Sequence, residues 1–280
     1  MTPKKVVWRF VIFTAIMLVA VIATWNLQLG GPTTLGMTAE AETEGSATAV
    51  DTAEQSPASL NGLVFEPISN EPSSSATTPL NKRMYVIGDT VRERGTPSTD
   101  GSVLKTWQAG EAVQVVGEKN GWYLLDDGGY VRADLLVESL DQVVAHVREQ
   151  HPDLIVVSKS TQKVEYWIYD RLVASGDCVT GDVLKGHDTP IGLYWVTSRE
   201  VGKTLYGEDG TPFPTDWYMG LSIGDSYGLH NAPWRIEEWM FGGSNYKGSG
   251  SRGCINCPDD LALRIYAECR VGLTYVLILP

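Results

Sequence analysis

Basic residues are in short supply. Across 280 residues, 22 Lys and Arg face 34 Asp and Glu, a net charge of −12. Proteins that hold nucleic acid neutralise its phosphates with Lys and Arg, so this balance argues against such a partner. The shortage is sharpest over residues 31–80, which contain no Lys or Arg but seven acids: Glu40, Glu42, Glu44, Asp51, Glu54, Glu66 and Glu71. This stretch is dense in Thr, Ala, Ser and Pro. It cannot bury enough apolar surface to offset its ordering entropy, so it is expected to be a disordered acidic spacer. Leu63, Val64 and Phe65 form a small apolar island within it.

A cleavage site is missing where one would matter. Residues 10–25 form a charge-free apolar run of sixteen, reaching twenty from Val6 if Arg9 snorkels to the interface. A span needs about 20 residues. Lys4 and Lys5 hold the N-terminus in the cytoplasm. No small-residue cleavage motif follows closely, and Ala39-Glu40-Ala41 comes late. Residues 1–30 are therefore expected to be a cytoplasmic stub and transmembrane signal-anchor helix, with a cleaved signal as the alternative. Either puts the remainder outside the cytoplasm. The stub carries +3 and the spacer −7, which leaves −8 for residues 81–280.

Cysteine is scarce too: Cys178, Cys254, Cys257 and Cys269 are the whole complement. Exported chains seldom keep idle thiols. Cys254-x-x-Cys257 has disulfide spacing, yet no strand-then-helix opening of a parallel sheet precedes it, which disfavours a thioredoxin-like role. Cys254, Cys257, Cys269 and His230 lack the paired spacing of a zinc site, so no metal and no cofactor is expected. Cys178 and Cys269 sit in apolar surroundings and read as buried thiols. A bridge between two of Cys178, Cys257 and Cys269 stays open, and the sequence does not choose the pair.

Helical periodicity is sparse, so the chain reads as mostly β. Val113 to Val116 and Trp122 to Leu125 are β-rich, with Asn120-Gly121 and Asp127-Gly128-Gly129 as hairpin turns. Residues 81–138 thus suit a small barrel, in which Trp107 and Trp122 are either core or binding platform. Leu140, Val143, Val144 and Val147 recur at helical spacing, which predicts a connecting helix within 139–151. Strands follow at 154–157, 164–169, 194–197 and 275–279. A second helix begins after Pro258, capped by Asp259 or Asp260, with Leu261, Ile265 and Cys269 on one face and Gly272 beyond its end.

The chemistry concentrates in Ser251-Arg252-Gly253-Cys254-Ile255-Asn256, with His230-Asn231-Ala232-Pro233-Trp234 upstream. A Cys beside Gly in a polar segment is poorly placed for a core. A His that the fold returns to it would take the thiol proton and give it back. The two lie 24 positions apart, so their contact must be spatial. The alternative is a structural Cys with an incidental His.

These residues resemble the signature of the L,D-transpeptidases, a His followed after a gap by Ser/Thr-His-Gly-Cys-hydrophobic-Asn. Thr189-Pro190-Ile191-Gly192-Leu193-Tyr194 resembles the same family's Thr-Pro-x-Gly-x-aromatic strand opening. Phe241 to Lys247 resembles its loop before the Cys. Residues 152–280 are thereby expected to be the catalytic β-sandwich. Val91 to Pro97, Gly110 to Val116 and Asn120 to Tyr123 resemble a bacterial SH3-like domain, for residues 81–138. The resemblance implies a peptidoglycan transpeptidase without cofactor that acts on donor and acceptor stem peptides through a Cys254 thioester. His230 would be acid and base, with the Asn231 carbonyl orienting its ring. It places the protein outside the cytoplasm, anchored in the membrane or secreted to the wall. A carboxypeptidase or hydrolase with the same pair, and a non-catalytic wall-binding protein, are the alternatives.

One position departs: the usual His two residues before the Cys is Arg252. An Arg stays charged and cannot serve as a base. Beside Cys254 it would favour thiolate or hold a stem-peptide carboxylate, or else pack outward as a bystander. Ser251 and Gly253 are expected to bind substrate beside the Cys, and Lys247, Ser249 and Ser251 to shape an oxyanion site with backbone N–H groups around Gly253 and Cys254. Trp217 and Tyr218 are expected to line the donor cleft, with packing as the alternative. His187 reads as structural, and His146 and His151 as solvated linker positions.

Overall fold

The structure, a computed structural model, describes residues 76–280. The expected anchor, the apolar island at Leu63 and the spacer up to residue 75 lie outside the described residues; residues 78–80, counted in the spacer, instead open the first strand. Among the described residues, no helix is long and apolar enough to cross a membrane.

Seven strands make the first sheet: β1 (Thr78–Val86), β2 (Val91–Arg94), β3 (Val103–Trp107), β4 (Ala112–Lys119), β5 (Trp122–Leu125), β6 (Tyr130–Arg132) and β7 (Leu136–Val137). Their order is β3-β2-β6-β5-β4-β1-β7. Asn120 and Gly121, both at positive φ, turn β4 into β5. Met84, Val86, Val113, Val115, Leu125 and Val131 fill the interior. Trp122 is buried, so it belongs to the core. Trp107 is half-buried, and its Nε1 donates to the buried Glu93 at 2.9 Å.

The predicted connecting helix is α1 (Leu140–Gln150), opened by Ser139 and Gln142 in a reciprocal capping box. His151, expected in solvent, is instead stacked on Tyr275 with ring centroids 3.8 Å apart. Removal from water holds its pKa below the ordinary value.

Eight strands make the second sheet: β8 (Asp153–Ser158), β9 (Lys163–Ile168), β10 (Arg171–Asp177), β11 (Gly192–Tyr206), β12 (Pro212–Leu221), β13 (Gly228–Asn231), β14 (Ile255–Cys257) and β15 (Tyr275–Leu279). Their order is β10-β9-β8-β15-β11-β12-β13-β14. β8 and β15 pair in parallel at its centre. Both are near-continuous apolar runs because both of their faces are covered. On one face, Leu154, Val156, Leu277 and Leu279 meet Val143 and Val147 of α1, together with Ile87 and Ala109 from the loops after β1 and β3. On the other, Ile155, Val157, Val276 and Ile278 share a core with Met219, Leu229 and Ile255 from the far half of the sheet.

That core is closed by α2 (Asp259–Glu268), through Leu261, Ala262 and Ile265. The helix lies where the sequence puts it, but neither Asp caps it: Pro258 holds the N-cap position, with no side-chain bond. Asp259 is engaged elsewhere, its Oδ1 accepting from Asn231 Nδ2 at 2.9 Å. A carboxylate with a partner that close is not available to the helix end.

Candidate active site

Strand alternation sorts the residues around Cys254 into two faces. β13 and β14 pair in parallel, with Leu229 opposite Ile255 and His230 opposite Asn256. β12 pairs on the other side of β13, with Tyr218 opposite His230 and Met219 opposite Leu229. Met219, Leu229, Ile255 and Cys257 belong to the buried core. Tyr218, His230 and Asn256 therefore share the other face, and Cys254, two residues before Asn256, has the same parity. The Sγ of Cys254 donates to the Ser226 carbonyl at 3.5 Å. Cys254 is 8% exposed and His230 1%.

The loop before the Cys is held by short bonds. Gly253 has φ +108°, and a methyl there would lie 2.6 Å from the Tyr227 ring, so the position requires glycine. Its N–H donates to Ser251 Oγ at 3.0 Å, and that hydroxyl donates to the Cys254 carbonyl at 2.5 Å. Thr189 Oγ1 donates to the Gly253 carbonyl at 2.9 Å. The Thr-Pro segment thus clamps the Cys loop directly. Ser251 and Gly253 define the path of the backbone at the thiol.

His230 lies between two aromatic rings, those of Tyr218 and Trp234, each with its centroid 5.9 Å away. Its Nδ1 is 2.7 Å from the Asn231 carbonyl. A carbonyl only accepts, so Nδ1 carries the proton and Nε2 is left as a base. Burial lowers its pKa to about 4, against the pull of that hydrogen bond and with help from the Arg235 and Lys203 charges. The imidazole is neutral at pH 7. Asn231 is fixed in turn: its Oδ1 accepts from the backbone N–H groups of Asp216 (2.8 Å) and Trp217 (3.1 Å), and its Nδ2 donates to Asp216 and Asp259.

The thiol is neutral as well. Burial raises the Cys254 pKa to about 11, opposed by a backbone bond from Gly228 and by the charge of Lys203. Lys203 lies on β11, with Nζ 3.9 Å from the Tyr218 ring centroid. The cation acting on this thiol is thus one that no motif marks, because its neighbours in sequence say nothing of the cross-strand partner that places it.

Arg252 points elsewhere. Its Nε is 3.8 Å from Glu208, in the turn between β11 and β12; Asp209 in the same turn is held below its ordinary pKa first by hydrogen bonds from Thr211, with the Arg252 charge adding to them. Glu208 also lies 3.9 Å from His187 Nε2. Trp217 is opposite in parity to Tyr218 and packs on Tyr266 of α2, centroids 5.3 Å apart. The structure brings Cys254, His230, Asn231, Ser251, Gly253 and Tyr218 together, and puts Trp217 on the far face.

A cleft of about 340 Å³, lined by Glu200, Lys203, Tyr218, Asp225 and Tyr227 among others, shares Tyr218 and Tyr227 with this site. A hollow of about 320 Å³ in the first sheet is lined by Arg83, Trp107, Gln114 and Asp126 among others, with no Cys or His. Asn256, buried on the site face, has an Oδ1 with no hydrogen-bond partner.

Comparisons with known proteins fit these two sheets. A model of the L,D-transpeptidase catalytic domain matches residues 152–278, and one of the bacterial SH3 domain matches residues 89–137. No curated protein matches the chain. The NMR structure of the catalytic domain of an E. faecium L,D-transpeptidase is 30% identical, covering 45% of this chain and 96% of that one, at a TM-score of 0.39. A crystal structure of the Enterococcus faecium L,D-transpeptidase is 19% identical over 70% of this chain and 76% of that one, at a TM-score of 0.42. L,D-transpeptidase 3 from Mycobacterium tuberculosis, in complex with a faropenem-derived adduct, is 17% identical over 62% and 76%, at a TM-score of 0.39. The chain belongs to the L,D-transpeptidase family, with a bacterial SH3 domain ahead of its catalytic domain.

Proposed function

We propose that the protein is a peptidoglycan L,D-transpeptidase that forms a thioester on Cys254. The observation that carries this is the shared parity of His230 on β13 and of Cys254 just before the paired strand β14, with the imidazole proton committed to the Asn231 carbonyl. Nε2 is then free to take the Cys254 proton as the sulfur attacks the amide carbonyl of a donor stem peptide. Collapse of the tetrahedral intermediate expels the terminal D-amino acid, whose amine leaves with that proton. An amine of a second stem then attacks the thioester, His230 removes its proton, and the thiol is restored as the new amide forms.

The cleft beside Tyr218 and Tyr227 is a place for the donor peptide, and the orphan Oδ1 of Asn256 is an acceptor for a peptide N–H. Arg252, tied only to exposed acids, is able to release Glu208 and take a stem-peptide carboxylate. No metal or cofactor enters the scheme. The SH3 domain fits wall binding, and the apolar run at residues 10–25 fits a membrane anchor that keeps the enzyme outside the cytoplasm.

The test is intact mass spectrometry of the full chain with a stem tetrapeptide, with and without an amine acceptor. The proposal expects an acyl adduct whose added mass is that of the peptide less its free terminal D-amino acid and, with acceptor, a cross-linked product. Release of the acyl group to water alone, with acceptor present, would assign a carboxypeptidase instead. No adduct under any condition would leave a wall-binding protein.

A further inference from the structure

The proposed reaction uses one thiol of four, and two of the others face each other. Val179 and Asn256 form an isolated antiparallel bridge. They exchange both backbone bonds, Val179 N–H to the Asn256 carbonyl at 2.8 Å and Asn256 N–H to the Val179 carbonyl at 2.9 Å. This makes them a hydrogen-bonded pair. In a regular antiparallel ladder the next pair outward, here Cys178 and Cys257, is the close, non-hydrogen-bonded kind, whose Cα atoms lie about 4.5 Å apart. A disulfide takes roughly 4.4–6.8 Å. Both side chains must also point the same way, and both do: each is fully buried in the same apolar core, while Val179 between them and the loop belongs to a different cluster.

The structure holds both as free thiols; we infer that on oxidation Cys178 and Cys257 form a disulfide that staples the end of β10 to β14, the strand that follows Cys254. The bond leaves the catalytic residue untouched. Cys254 and Cys257 are three apart along an extended segment and point to opposite faces, so the Cys-x-x-Cys spacing does not lead to a bridge between them. Cys269 donates to the Tyr266 carbonyl at the end of α2, at 3.7 Å, and has no such partner.

The chemistry is a two-step exchange with a low-molecular-weight disulfide such as oxidised glutathione. One cysteine thiolate attacks the oxidant, forming a mixed disulfide and releasing one thiol. The second cysteine thiolate attacks the protein sulfur of that bond and releases the second thiol. Two protein thiols are oxidised and one small disulfide is reduced. Burial pushes both thiols up and Cys178 adds to the effect at Cys257, so neither reacts readily once folded. The bond forms during folding, before α2 covers the pair. Once made, it is shielded from reductant for the same reason.

The pairing is independent of the proposed catalysis, and so is its test. The full chain is unfolded, refolded in a mixture of oxidised and reduced glutathione, denatured, and alkylated at its remaining thiols. Peptide mapping should show two alkylated residues, Cys254 and Cys269, and a linked pair of peptides carrying Cys178 and Cys257. The bond closes a loop of about 80 residues. Oxidised protein should therefore melt roughly 5–15 °C above reduced protein. Cys178→Ala or Cys257→Ala should abolish that difference. Should either variant fold poorly, the mapping of the unsubstituted chain decides alone. Four alkylated cysteines across the redox range, or a bond that includes Cys254 or Cys269, would overturn the inference.

Discussion

In the proposed mechanism His230 carries the proton chemistry, and its burial also bears on the stability of the site. Its folded pKa of about 4 lies below the value near 6.5 of an unfolded chain. As pH falls, the unfolded chain takes the proton first. The contribution of the buried neutral ring is full above about 6.5 and is lost between there and about 4. That loss is on the order of 3 kcal/mol. In activity, the rate of acylation by a carbapenem should stay flat from neutral pH down to about 5.5 and fall with an apparent pKa near 4. An acid limb at or above 6.5 would show a solvated imidazole and contradict the burial described. The charge at the thiol gives a second expectation. Lys203→Met should slow acylation about tenfold at pH 7, because the cation that favours the thiolate is gone. Arg252→Ala should leave carbapenem acylation within about twofold, since its partner pair is exposed, and should act on capture of a stem peptide. Equal losses in the two variants would mean that Arg252 also reaches the thiol.

Among the elements, the central strands were the most legible in sequence. Leu154 to Val157 and Tyr275 to Leu279 read as strands because covering both faces leaves an unbroken apolar run. Leu277 of β15 is fully buried in the layer it shares with α1 and with Leu154 and Val156 of β8. Leu277→Ala should cost about 2–5 kcal/mol in denaturant unfolding, and a loss below 1 kcal/mol would mean that the layer is not packed as described. Around the site, the motif located Cys254, His230, Asn231 and the glycine. It did not find Lys203, and it marked Thr189 and Asp259 only as a strand opening and a helix cap; their roles at the site depend on pairing between strands and helices far apart in sequence. Trp217 and Tyr218 are adjacent and aromatic, and only the register of β12 against β13 shows that one faces His230 and the other α2. The Asp259 cap failed for a related reason: a local signal lost to a long-range partner. Gly253→Ala tests the loop itself. With φ positive and the Tyr227 ring 2.6 Å from the added methyl, the variant should fold but lose acylation. Full activity would show the loop to be adaptable.

Across the whole molecule, the two sheets share one apolar layer through Ile87, Ala109, Leu193 and Leu279, so the SH3 domain is bound to the back of the catalytic sheet. The run at residues 10–25 would tether this unit to a membrane through an acidic spacer. A carbonate wash of native membranes should leave the full-length chain in the pellet, and a soluble form starting near residues 30–42 would indicate a cleaved signal instead. The most direct measurement of the central claim is peptide mapping of the full chain after exposure to a stem tetrapeptide, beside its Cys254→Ala, Cys257→Ala and His230→Ala variants. The acyl group should be found on Cys254 and on no other thiol, persist in Cys257→Ala, and be absent from Cys254→Ala and nearly so from His230→Ala. An adduct that survives Cys254→Ala, or that maps to Cys178, Cys257 or Cys269, would contradict the account.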